Sequence, residues 1–108
     1  MEMNALLIRL DAAEAKGKEL ENALNDPSTI NRPEKLKTLT REYKQLTQLL
    51  KKAAEYRVVL RRIEGDSEIL RSQADDELKS LAHEEMEENQ RLRAALESEI
   101  EVLLIPKD

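Results

Sequence analysis

The chain contains no cysteine, no tryptophan and no phenylalanine, and only two glycines and one histidine. Each shortage excludes something. Without cysteine there is no disulfide and no thiolate metal centre, a composition that suits a reducing cytosol. Without Phe or Trp, the core must be built from Leu, Ile, Val, Ala and Met, which favours thin helical packing. Gly17 and Gly65 are far apart, so no glycine-rich loop can cradle a nucleotide phosphate. Long apolar runs are missing too: the patch Ala5 to Ile8 is broken at once by Arg9 and Asp11. A membrane span needs about 20 apolar residues, and a signal peptide needs a longer stretch than this one after basic residues. The reading is a soluble, cytoplasmic chain without a membrane partner.

Catalytic chemistry finds little to work with. His83 stands alone, and the Glu-x-x-His spacing of di-iron bundles is absent because Ser80 occupies the position three residues before it. Glu84, Glu85, Glu87 and Glu88 read as a wet helix face. A small helical enzyme would need cations pointing inward to hold an anionic substrate, and the apolar seam of the first helix carries none. No catalytic, cofactor-binding or metal-binding residue is assigned, and no cofactor or small-molecule substrate is expected.

What is present is charge and helical periodicity. The 108 residues suffice for one small domain with a modest core. Met3, Leu6, Leu10, Ala13, Gly17, Leu20 and Leu24 alternate steps of three and four, the seam of a helix packed lengthwise on partners. "NDPSTINRPEK" interrupts that pattern: Asp26-Pro27 favours a turn. Asn31, with Glu34 three residues on and Pro33 between them, reads as the cap of a second helix running from Arg32 to about Glu64. Its seam is Leu36, Leu39, Tyr43, Leu46, Leu50 and Ala53, slipping by one residue to Tyr56, Leu60 and Ile63. Gly65 fits a C-terminal cap. "DSEILRSQADDEL" then predicts a short helix and a bend before a third long helix. That helix buries Leu78, Leu81, Ala82, Met86, Leu92, Leu96, Ile100 and Leu103, with Asn89 interrupting the stripe to fix register. The expected fold class is all-α: an elongated three-helix bundle with coiled-coil-like packing, plus a short helix before the third long one.

Charge is unevenly distributed. Residues 32–64 hold ten Lys or Arg against four Asp or Glu, whereas residues 74–108 hold four against eleven. Two readings stay open: the basic and acidic helices lie antiparallel and complement each other, or the basic helix also faces a polyanion. Tyr43 and Tyr56 lie on the seam, which disfavours base stacking. Phosphate contacts by Arg32, Lys35, Lys37, Arg41, Lys44, Lys51 or Lys52 would position the chain without reading sequence.

"ALNDPSTINRPEKLKTLTREYKQL", residues 23–46, resembles the opening of the bacterial peptide chain release factor 1 family, where a short "DP" turn precedes a helix with a "REY" core. The closing "LLIPKD", residues 103–108, is similar to that family's join between a helical first domain and the decoding core. The resemblance implies that residues 1–108 form the single N-terminal helical domain of a UAA/UAG-specific termination factor. The apolar tip Val102 to Ile105 then reads as a domain boundary. It also implies that decoding and the Gly-Gly-Gln chemistry of peptide release belong to domains absent here, since the chain has no adjacent glycines. The implied partner is the ribosomal stalk base, protein and rRNA, reached through the intact factor; no individual contact residue carries over. Apolar surface at the tip predicts weak self-association of the chain alone. The competing expectation is a generic coiled-coil adaptor or dimerisation domain.

Overall fold

The computed structural model describes residues 1–106, so Lys107 and Asp108 of the "LLIPKD" motif lie outside the described residues. Regular structure among the described residues is helical: α1 (Met3–Leu24), α2 (Pro27–Ile30), α3 (Pro33–Arg71) and α4 (Asp76–Leu103). The all-α class is as expected, with three long helices and one short one. Two compact units divide the chain, residues 1–51 and residues from Lys52 onward.

Helix ends follow from side chains that satisfy orphan backbone donors. The Glu2 carboxylate accepts from the amides of Asn4 at 3.0 Å and Ala5 at 3.3 Å, opening α1. Asp26 opens α2 by accepting from the Ser28 amide at 2.9 Å, with Pro27 in the first turn, where a missing N–H costs nothing. That amide bond, then the Ser28 hydroxyl, holds the Asp26 carboxyl below its usual range. Asp75 opens α4 by accepting from the Leu78 amide at 2.8 Å, and Asp76 and Glu77 follow in its positive first turn.

Two sequence-derived boundaries change. Asn31 closes α2, its amide donating to Pro27 and Thr29 carbonyls, rather than capping α3, which begins at Pro33. Gly65 does not end a helix. α3 runs through it to Arg71 with no positive φ, so the segment expected to form a separate short helix is the last part of α3. The short helix instead lies before the second long one. A glycine can cap a helix, but nothing compels it to when both flanks keep helical patterning.

In the first unit, α1 and the first half of α3 run antiparallel: Gly17 faces Leu46 and Leu50, while Glu21 reaches back to Tyr43. A Cβ at Gly17 would stand 2.9 Å from Leu50 Cδ1 and 3.7 Å from Leu46 Cδ2, so the absent side chain is what lets these leucines close in. Leu6, Leu10, Leu20, Leu49 and Thr29 are buried in this unit, and the expected seam residues Leu36, Leu39, Tyr43, Leu46 and Leu50 are half-buried.

In the second unit, α4 runs antiparallel to the rest of α3, with Lys52 paired to Glu99, Tyr56 to Glu97 and Asp66 to Asn89. Ala53, Tyr56, Val59, Ala82, Leu96 and Ile100 are its buried apolar residues. Leu78, Leu81 and Leu92, expected inside, are exposed at 45%, 53% and 40%. At 3.6 residues per turn, Leu81 and Leu92 fall on one flank of the stripe drawn through Ala82, Leu96 and Ile100.

Candidate functional site

The residues that could carry chemistry were traced first. His83 is exposed, and its Nε2 lies 3.0 Å from Glu87 one helical turn on, an ordinary surface pair. Among the described residues, no three His, Asp or Glu side chains converge to hold a metal ion, and no helix is long and apolar enough to cross a membrane.

Three polar contacts tie helices together. The Tyr43 hydroxyl donates to Glu21 Oε1 at 2.6 Å, and this bond holds the phenol above its ordinary value. The Tyr56 ring is fully buried, and its hydroxyl donates to Glu97 Oε2 at 2.7 Å. Burial first, then that bond, raises its pKa strongly. Both bonds favour the protonated phenol, since only it can donate to a carboxylate. Thirdly, Asn89 donates from Nδ2 to Asp66 Oδ2 at 3.3 Å, both side chains being buried. Glu85 joins them: a hydrogen bond to Asp66, together with the repulsion of that carboxylate, pushes its carboxyl above 4.5.

Asn89 was legible as a polar interruption of an apolar stripe, but Asp66 was read as a helix starter. A signal existed. Continuing the seam Tyr56, Leu60, Ile63 by three residues reaches Asp66, so two polar positions fall on facing seams.

Of the seven cations named as phosphate candidates, Lys52 is already engaged. Its Nζ lies 2.6 Å from Glu99 and 3.5 Å from Glu55, and the Glu99 contact holds the ammonium above its usual value. This is a direct pairing of the basic helix with the acidic one. Lys37, Arg41, Lys44 and Lys51 are different: all are exposed and none forms an ion pair among the described residues. Lys37, Arg41 and Lys44 border a shallow groove of about 540 Å³ floored by Pro33, Leu36 and Thr40. Thr40 keeps its hydroxyl turned to its own helix, donating to the Leu36 carbonyl at 2.7 Å. The arrangement offers charge without a nucleophile or an acid–base pair.

Comparison with known proteins decides which family this surface belongs to. The family model described as the PCRF domain matches residues 13–108. The chain belongs to that family. Among curated proteins, it is 36% identical over 105 residues to peptide chain release factor 1 of Bacteroides fragilis, covering 97% of this chain and 28% of that protein. Peptide chain release factor 1 of Listeria welshimeri is 36% identical over 100 residues, covering 93% of this chain and 28% of the relative. That of Bacteroides thetaiotaomicron is 35% identical over 105 residues, at 97% and 28%. The chain thus spans 28% of the length of these relatives. No solved structure matches. The PCRF match covers α2, α3 and α4 and most of α1, including Gly17 and its leucine contacts.

Proposed function

We propose that this PCRF domain serves as the N-terminal helical domain of a UAA/UAG-specific termination factor. In this role it contacts the ribosomal stalk base and orients the factor, while decoding and hydrolysis are carried out by other domains. The observation that carries the reading is the PCRF match over residues 13–108, together with relatives named peptide chain release factor 1 that are 36% identical and several times longer. The residues agree with it. They supply helix-to-helix contacts and an exposed cationic flank, and the sequence has no adjacent glycines from which a Gly-Gly-Gln loop could be made.

The test is co-pelleting with ribosomes that contain or lack the stalk-base protein. Binding that disappears with that protein is the expected result. Equal pelleting in both cases, or none in either, removes the assignment. The same reading includes a cytoplasmic location and weak self-association of the isolated chain. The exposed Leu78, Leu81 and Leu92 of α4 supply apolar surface for such pairing. Sedimentation equilibrium should show dimer that persists at high salt; a strictly monomeric chain at high concentration would remove that part.

A further inference from the structure

Most exposed cations of this chain already have carboxylate neighbours. Lys16 lies 3.9 Å from Glu19, Arg71 3.5 Å from Glu64, Arg91 2.8 Å from Glu88, and Lys52 bridges two glutamates. A chain with net charge −5 has carboxylates to spare. Against that background, four cations in the first half of α3 stand apart. Lys37, Arg41, Lys44 and Lys51 are exposed and form no ion pair among the described residues.

Their spacing of four, three and seven residues places all four on one flank of the helix. At a rise of about 1.5 Å per residue, the row extends for about 21 Å. The Gln48 position falls within the same row, while Glu42 falls on another side of the helix. Glu34 lies at the N-terminal end, in the first turn, where its charge meets the helix dipole. The row is therefore a continuous positive stripe, separate from the seam that packs on α1.

We propose that this stripe is a contact surface for the phosphate backbone of double-helical RNA. Its chemistry fits that partner better than an acidic protein. A protein interface draws its affinity from buried aromatic or apolar anchors, and the flank offers none beyond the shallow floor of Pro33 and Leu36. Phosphate binding needs regularly spaced cations and little else, and it is insensitive to base sequence. The threonines of this half cannot add base readout, because Thr38, Thr40 and Thr47 each donate to a carbonyl of their own helix. The stripe thus positions without specifying. That the RNA is ribosomal rests on the function proposed above; that the stripe binds RNA duplex does not.

The experiment titrates the chain against a short fluorescein-labelled RNA duplex across a salt series, using anisotropy. Log K should fall with log salt at a slope of about −3, as expected for roughly four phosphate contacts. The variant K37Q/R41Q/K44Q/K51Q should keep its helical circular dichroism, since all four side chains are exposed, and should lose at least tenfold in affinity with a flatter slope. The control R71Q/R91Q, which removes an equal number of cations per duplex-facing half-stripe but only paired ones, should change little. Equal loss in both variants would reduce the effect to net charge and overturn the proposal. Unchanged binding by the quadruple variant would overturn it as well. So would a stripe-dependent preference for a poly-glutamate peptide over the duplex, which would assign the surface to an acidic protein. Because the probe is naked duplex, failure here leaves the ribosome-pelleting result standing, and failure there leaves this one standing.

Discussion

The Tyr56 hydroxyl donates a 2.7 Å hydrogen bond to Glu97 from a ring that is fully buried, joining residues 41 positions apart in the chain. Removing the hydroxyl leaves Glu97, which is half-buried, without its donor. Tyr56→Phe should therefore cost about 1.5 kcal/mol in urea denaturation. The bond also sets a pH limit. The phenol pKa is raised above 10.0 in the folded chain, so the unfolded chain releases this proton first. The stabilisation is complete below pH 10.0 and declines as pH climbs from there toward the higher folded value. Denaturation midpoints of wild type and Tyr56→Phe should converge above pH 10; parallel curves would show that the phenol ionises normally.

Glu85 and Asp66 give the opposite end of the pH scale. Hydrogen bonding and repulsion raise the Glu85 carboxyl above 4.5, so the folded chain holds that proton more tightly than the unfolded chain does. This contribution is fully present below pH 4.5 and is lost as pH rises through the folded value. Glu85→Gln imitates the protonated acid at every pH. Its melting temperature should exceed that of wild type at pH 7, and the gap should close at pH 4. A variant less stable than wild type at pH 7 would contradict the pairing.

The two glycines should respond differently to the same change. Nothing lies within 4 Å of where a Gly65 Cβ would be, and the residue is mid-helix, so Gly65→Ala should stabilise by about 0.5–1 kcal/mol through helix propensity. At Gly17 the same gain is offset, because the new methyl would sit 2.9 Å from Leu50 Cδ1 and force that leucine to move. Thermal melts should show Gly65→Ala above wild type and Gly17→Ala well below Gly65→Ala. Equal shifts would mean that α1 and α3 are less tightly apposed at Gly17.

Leu46 is half-buried and would lie 3.7 Å from a Cβ on Gly17. Leu46→Asp removes apolar burial and sets a carboxylate at a helix contact, but partial exposure lets it reach water. The cost should be about 2–3 kcal/mol, less than for a fully enclosed position. An unchanged urea midpoint would place the contact face of α3 elsewhere.

Periodicity made the fold class and most of the inward faces legible. Leu6, Leu10, Gly17 and Leu20 were placed by their steps of three and four, and Tyr56 and Ile100 likewise. What periodicity could not supply was the choice between two local options with similar sequence signals. Gly65 can cap a helix or sit within one, and only the apolar residues on both sides, held by tertiary packing, decide it. Leu78, Leu81 and Leu92 look like core because they are leucines at near-seam spacing, yet a helix drifting at 3.6 residues per turn carries them to a flank. The cationic stripe was present in the sequence as a list of seven residues. Separating Lys52 from the rest required knowing where Glu99 lies.

The two tyrosine–carboxylate bonds have a spectroscopic consequence. With no tryptophan in the chain, Tyr43 and Tyr56 are its only useful intrinsic fluorophores. Each is hydrogen-bonded to a glutamate, one within residues 1–51 and the other beyond Lys52. A carboxylate bonded to a phenol offers its excited state a proton acceptor and dims its emission. Melting should therefore brighten the chain, and each phenol reports on its own unit. Tyr43→Phe and Tyr56→Phe leave one lamp apiece, so a pair of emission curves tells whether the units come apart together or in turn.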